Sequence, residues 1–175
     1  MMEYKDIEVT AFLSNQQVDL VDESYDLAVR LGKLSDSSMM AKKLAKRTSY
    51  VCASPAYLDK YGIPHSLSEL DKHSCLLGTR DYWHFSDMGK EKAIRVSGRL
   101  RCNSGYGLVD AALKGLGIVQ LPGYYIKDHL ISGRLIALLD NHKIPDEGIW
   151  AIYPQNRHLS PKIKLLVEYL STHLV

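Results

Sequence analysis

The 175-residue sequence is short of the features that would assign it at once, and each shortage excludes a class. There are three cysteines, Cys52, Cys75 and Cys102, an odd number, widely spaced, with no C-x-x-C and no Cys/His spacing typical of zinc. A disulfide framework is thereby excluded, and reduced thiols in a reducing compartment are expected. There is almost no charge surplus: Lys plus Arg number 22 against 20 Asp plus Glu. That excludes the electrostatic footprint of a nucleic-acid or acidic-membrane binder, so the chain alone is expected to bind DNA poorly. No apolar run approaches the roughly 20 residues that span a bilayer. The opening MMEYKDIEV has no basic segment followed by an apolar one, and a cytoplasmic location without a membrane partner is expected. Fixed-period repeats and low-complexity tracts are also missing. So are G-x-S-x-G, H-E-x-x-H and a P-loop; Gly115-x-Gly117 ends a helix rather than opening one, and His73 and Cys75 flank Ser74 without forming a dyad. No enzyme activity, cofactor or metal is expected.

What is present is an ordinary soluble composition, 46% hydrophobic and 24% charged, long enough for one domain or two small lobes. Residues 7–13 (IEVTAFL) read as a strand. Ser14 with Gln17 makes a capping-box pattern that opens a short helix through Val18, Leu20 and Val21, and DLAVRL at 26–31 closes a β-α-β unit that predicts a parallel sheet. Residues 39–45 alternate weakly, SYVCAS is a strand, and Pro55 opens a helix that Gly62 closes. Ser66 and Glu69 are in capping-box register for another short helix. Short strands follow at 74–77, 82–85, 93–96 and 100–102, with a hairpin around 88–92. Asn103 and Ser104 offer caps for a helix whose Leu108, Val109, Ala112, Leu113 and Leu116 recur at helical spacing. Then come the buried strand GIVQLP, a helix at 124–130, strands at 134–138 and 149–154, and a final helix with Pro161 at its first position and Ile163, Leu166, Val167, Leu170 and Leu174 on one face.

The ordered series VDLVDESYDLAVRLGKLSDSSMMAKKLAKRTSYVCASPAYLDKYGIP, LSELDKHSCL, NSGYGLVDAALKGLGIVQLP and SPKIKLLVEYL closely resembles the effector-binding domain of LysR-type transcriptional regulators over nearly the whole chain. The resemblance implies an α/β fold of the type II periplasmic-binding-protein kind, two Rossmann-like lobes joined by two crossover strands. The first lobe would take 1–52 with 154–175 and the second 53–153. It also implies a winged helix-turn-helix and linker helix ahead of the matching region, so the chain is expected to be a fragment entering late in the first helix of its domain, to form homodimers or higher assemblies, and to meet DNA only through that other part. A solute-binding protein of the same fold, serving a transporter, is the alternative.

In open α/β sheets, ligands sit beyond strand ends where helix N-termini converge. Ser14 and Asn15 come after the first strand, and Asn103, Ser104 and Gly105 precede a helix. Each group either hydrogen-bonds an effector or serves as a cap. Helix N-termini favour a small molecule of anionic character. Arg30, beside Leu31 and Gly32, either meets such an anion or pairs with the acidic residues around Asp22. Thr79, Arg80 and Trp83 lie in a polar-aromatic loop, and Pro122 with Gly123 ends a buried strand; Trp83 either walls a pocket or packs a hairpin. Cys102, beside a cap, is a candidate redox thiol. For the dimer, the resemblance sets Ile7, Val9 and Ala11 with Val18 and Val21 against Leu108, Ala111 and Ala112 of a partner.

Overall fold

A computed structural model describes residues 4–5, 7–16, 19–32, 34, 39–155 and 160–174. In chain order the elements are β1 (Ala28–Leu31), β2 (Met40–Arg47), β3 (Ser49–Ala53), α1 (Pro55–Tyr61), a 3₁₀ turn (Leu67–Lys72), β4 (Tyr82–Asp87), β5 (Lys90–Arg95), α2 (Gly105–Leu113), β6 (Val119–Pro122), α3 (Gly123–Ile131), β7 (Ile136–Leu138), a second 3₁₀ turn (Asp140–His142), β8 (Glu147–Tyr153) and α4 (Pro161–His173). They divide into two compact units, Met1–Lys46 with Glu147–Val175, and Arg47–Asp146. Both crossings fall several residues earlier than the sequence suggests. The reason is strand pairing: the whole of β3 pairs with β6 and β7 inside the second unit, and the whole of β8 sits between β1 and β2 in the first.

In the first unit β8 is the middle strand. Its Ile149, Ala151 and Tyr153 are buried with Leu44 of β2 and with Ile163 and Val167 of α4, two of the apolar positions that recur along that helix. Pro161 takes the first helical position, where its missing N–H costs nothing, and Ser160 is the N-cap without a side-chain cap bond. Past the end of β1, Gly32 has φ 97°, a conformation that favours glycine. Its N–H donates to the Gly148 carbonyl at 2.9 Å, and its carbonyl accepts the Trp150 indole N–H at 3.0 Å.

Two expectations fail in this unit. Residues 7–13 form no strand and are mostly exposed. Alternation alone does not make one: a strand needs a neighbour for its N–H and C=O groups, and among the described residues none pairs there. The helix expected from Ser14 is also absent from the described residues. The Ser14 hydroxyl accepts the Gln16 N–H at 3.0 Å, a local turn. Asp19 organises the next turn, its carboxylate accepting the N–H groups of Val21 at 2.8 Å and Asp22 at 3.2 Å. Gln17 and Val18 lie outside the described residues. The β-α-β unit does not form among the described residues, and β1 runs antiparallel to β8, with Val29 opposite Ala151.

The second unit is a layered α/β body. Its sheet has the order β6-β3-β7, and β3 is antiparallel to both neighbours. The two-residue period of β3 sends Val51 and Ala53 to one face and Cys52 to the other. Against the first face pack Tyr57 and Leu58 of α1 and Trp83 and Phe85 of β4. Against the second pack Leu108, Val109 and Ala112 of α2 and Ile126 of α3. Burying a side chain such as Phe85 stabilises the unit by roughly 1.5–3 kcal/mol relative to exposure. Among the described residues of this unit, parallel pairing occurs in two isolated bridges, Cys75 with Ile118 and Leu77 with Arg101. The expected hairpin is present: β4 and β5 pair from Tyr82 with Arg95 to Asp87 with Lys90. The capping box at Ser66 is displaced by one residue, because Glu69 accepts the N–H of His65, at 2.7 Å.

Candidate functional site

The chemistry of the second unit gathers where α2 and α3 begin. Ser104 is held extended at the N-cap of α2, and its hydroxyl accepts the Gly107 N–H at 3.4 Å. Asn103 and Ser104 are exposed there. Gly105 opens the helix under the ring of Tyr125, which fills the place a Cβ would take. Pro122 ends β6, and the Gly123 N–H that begins α3 donates to the Thr48 carbonyl at 2.9 Å. Asn103, Ser104 and Gly105 are thus joined to the Pro122–Gly123 end of the unit through Tyr125, the second residue of α3 after Gly123. Tyr106, Tyr124 and Tyr125, which reasoning from the sequence missed, supply the aromatic surface. Their signal was present as a tyrosine immediately after the first glycine of each helix, G-Y-G and G-Y-Y. Burial, followed by the neighbouring tyrosines Tyr124 and Tyr106, pushes the Tyr125 phenol above its ordinary range, while Arg47 draws it back.

Trp83 does not join this group. At 5% exposure it lies in the core with Val51 and Phe85, because the alternation of β4 points Trp83 and Phe85 inward together. Thr79 and Arg80 are exposed in the loop before β4. Arg101 donates to the Asp81 carboxylate and to the Gly78 carbonyl, the latter at 3.2 Å, and this pairing holds the Asp81 carboxyl below the usual range.

In the first unit Ser14 and Asn15 are exposed. Arg30, on β1, acts on Asp19, whose carboxyl is held below its ordinary value first by the backbone N–H groups of Asp22 and Val21 and also by the Arg30 charge. Leu31 is 47% exposed, whereas Gly32 is buried. Of the residues set aside for a dimer, Ile7 is half-buried and Val9, Ala11 and Val21 are exposed. Leu108, Ala111 and Ala112 are buried within their own unit. Their helical stripe packs with Cys52, Val119 and Ile126.

Two hollows in the second unit lie elsewhere. One, of about 10 Å³, has room for no more than a water and is lined by residues including His84, Gln120 and His142. The other, about 220 Å³, runs between Ile63, Pro64 and His65 and residues 137–142. Neither is lined by a residue expected to bind an effector. Burial pushes the thiols of Cys52 and Cys75 up to about 12, which makes both inert; Cys102 is half-buried. Among the described residues no three His, Cys, Asp or Glu side chains form a group that could hold a metal, and no helix is long and apolar enough to cross a membrane.

A family model, the LysR substrate binding domain, matches residues 1–175. The chain belongs to this family. Among LysR relatives, the transcriptional activator TtdR of Escherichia coli K12 is 33% identical over 176 residues, covering 98% of this chain and 56% of its own length. The chain therefore spans about half the length of the curated relatives it matches. The regulatory domain of CrgA, a LysR-type transcriptional regulator from Neisseria meningitidis, superposes with a TM-score of 0.80 at 29% identity, over 93% of this chain and 81% of that one. Full-length AphB, the Vibrio cholerae virulence activator of the same family, gives 0.86 at 26% identity, over 100% and 61%. The mixed α/β fold of this chain is that of LysR regulatory domains, of the periplasmic-binding-protein kind.

Proposed function

We propose that these 175 residues are the effector-sensing and dimer-forming part of a bacterial transcription regulator, acting in the cytoplasm and without enzymatic activity. The observation that carries this reading is the family match across residues 1–175. DNA would be read by a part of the whole protein outside these residues, in keeping with the near-neutral charge of the chain. The effector is a small molecule of anionic character. The second unit offers it Asn103, Ser104, Gly105, Pro122, Gly123 and Thr79; taken by itself, the first unit offers Ser14, Asn15, Arg30, Leu31 and Gly32 as further candidates. Regulation requires that the effector bind one conformation of the domain more tightly than another, since equal affinity for both shifts nothing.

Thermal shift of the chain with a library of small carboxylic acids tests this, on wild type, Ser104→Ala and Ser14→Ala. An acid that binds raises Tm. Ser104→Ala should reduce that shift by more than the loss of its cap, about 1 kcal/mol, explains. Undiminished shifts in both variants would remove the serines from the site, and a library without a single stabilising acid would remove the effector reading.

A further inference from the structure

The larger hollow of the second unit has a fixed floor. Leu138, the last residue of β7, is buried and lies opposite Val51 of β3, so this part of the lining belongs to the sheet. Ile63 and Pro64 supply more apolar lining just after Gly62 closes α1; Pro64 is buried, and Ile63 is 50% exposed. The turn after β7 is held under strain. Leu139 has φ 56° and ψ 36°, a left-handed conformation that a leucine adopts only when its surroundings impose it. Its side chain packs against the core, and its carbonyl accepts the His142 N–H at 2.9 Å. Strain of this kind collects at binding sites. The turn so fixed sets Asn141, exposed, and His142, half-buried, along the hollow. His142 donates its Nδ1–H to the Ser86 carbonyl at 3.2 Å, because a carbonyl only accepts, and in the neutral ring Nε2 is then an acceptor.

Charge in the lining is already balanced. Asp140 is paired with Lys143 at 2.8 Å, and Lys143 stands 4.2 Å from the centre of the Tyr50 ring. The Glu69 carboxylate accepts the His65 N–H at 2.7 Å. An anion would meet Asp140 and Glu69, and a cation would compete with Lys143, so a neutral ligand is favoured. Size narrows it further. An apolar cavity of about 150 Å³ takes up benzene, so the hollow, at about 220 Å³, holds a six-membered ring with one small substituent.

We infer that this hollow is a binding site for a small neutral ring compound bearing a primary amide or lactam, its ring against Ile63, Pro64 and Leu138. Its amide pairs with the side chain of Asn141, which has a donor and an acceptor to match. The site goes beyond the effector reading, since none of the residues named for the effector lines it. Backbone-amide NMR titration of the chain tests this with benzamide as the probe, beside benzoate, benzylammonium and acetamide. Benzamide should shift the signals of Ile63, Leu139 and Asn141 along one saturable curve. The two charged rings and the ringless amide should each bind about tenfold more weakly. Asn141→Ala should weaken benzamide by about threefold to tenfold, and Ile63→Ala by about threefold. Both positions are exposed, so the variants should fold, which circular dichroism checks. The site is overturned by the absence of a saturable shift up to the solubility limit of benzamide, or by unchanged binding in both folded variants. Equal affinity for any comparison compound overturns the ligand class and with it the proposal. Shifts confined to Ser104, Gly105 and Gly123 would seat the amide among the effector residues and overturn it as well.

Discussion

His73 shows how one side chain ties local geometry to solution behaviour. The Tyr57 hydroxyl accepts the Ser74 N–H at 2.9 Å and lies 3.2 Å from His73 Nδ1, to which it donates when that nitrogen is unprotonated. Burial lowers the His73 pKa below its ordinary 6.5; Glu69 opposes the shift and Lys72 adds to it. With the folded pKa depressed, the unfolded chain takes up the proton first. Stability is therefore full above about pH 6.5 and falls as the pH drops through the window below it. Urea midpoints measured between about pH 7.5 and 5.5 should decline in wild type and decline less in His73→Gln; equal slopes would mean that His73 carries none of the dependence. The same scale shows where sequence and structure part. Trp83 and Thr79 are near neighbours in the chain, yet one is core and the other surface. Loop composition does not reveal which side of a strand a residue takes once β4 begins.

Among the elements, the β4–β5 hairpin is the most fully specified by its residues. Asp87 pairs with Lys90, leaving Met88 and Gly89 as a two-residue turn, and both have positive φ, 50° and 78°. That is the type I′ geometry whose twist matches the flanking strands. Gly89 adopts it freely, whereas Met88, 99% exposed, adopts it at a cost with no packing in return. Met88→Asn should stabilise the protein by several tenths of a kcal/mol, and Gly89→Val should destabilise it by about 1 kcal/mol or more. Chemical denaturation measures both; a neutral Gly89→Val would mean that the turn relaxes. α2 was equally legible, since Ser104, the apolar spacing and the closing Gly115 all agree. Residues 7–13 were not, because a strand depends on a partner that alternation cannot supply. Strand direction was hidden for the same reason: β1 and β8 meet across nearly the whole chain, and no local pattern records whether they run together or opposed.

For the molecule as a whole, the family was legible and the exact division was not. The order of the matching segments carried the fold, and the pairing of β3 and β8 moved both crossings earlier. Of the expected site, Asn103, Ser104, Gly105, Pro122 and Gly123 come together around Tyr125, while Leu108, Ala111 and Ala112 of α2 pack into the core of their own unit, since an apolar stripe serves an internal core and an external partner with the same spacing. The placement of β8 at the centre of the first unit's sheet sets an order of assembly on the ribosome. The second unit is one continuous stretch and can form as soon as it has emerged. β1 and β2 emerge earlier and must wait, because the strand that joins them is made only after the whole of the second unit. A nascent chain stalled just before residue 147 should hold a structured middle and an open beginning. In refolding of the finished chain, pulse-labelled amides of Val51 and Cys52 should gain protection before those of Ile149 and Ala151. Simultaneous protection would show that the two units fold as one. If the order holds, the early strands spend their first seconds with unpaired edges, and any aggregation during synthesis should begin there.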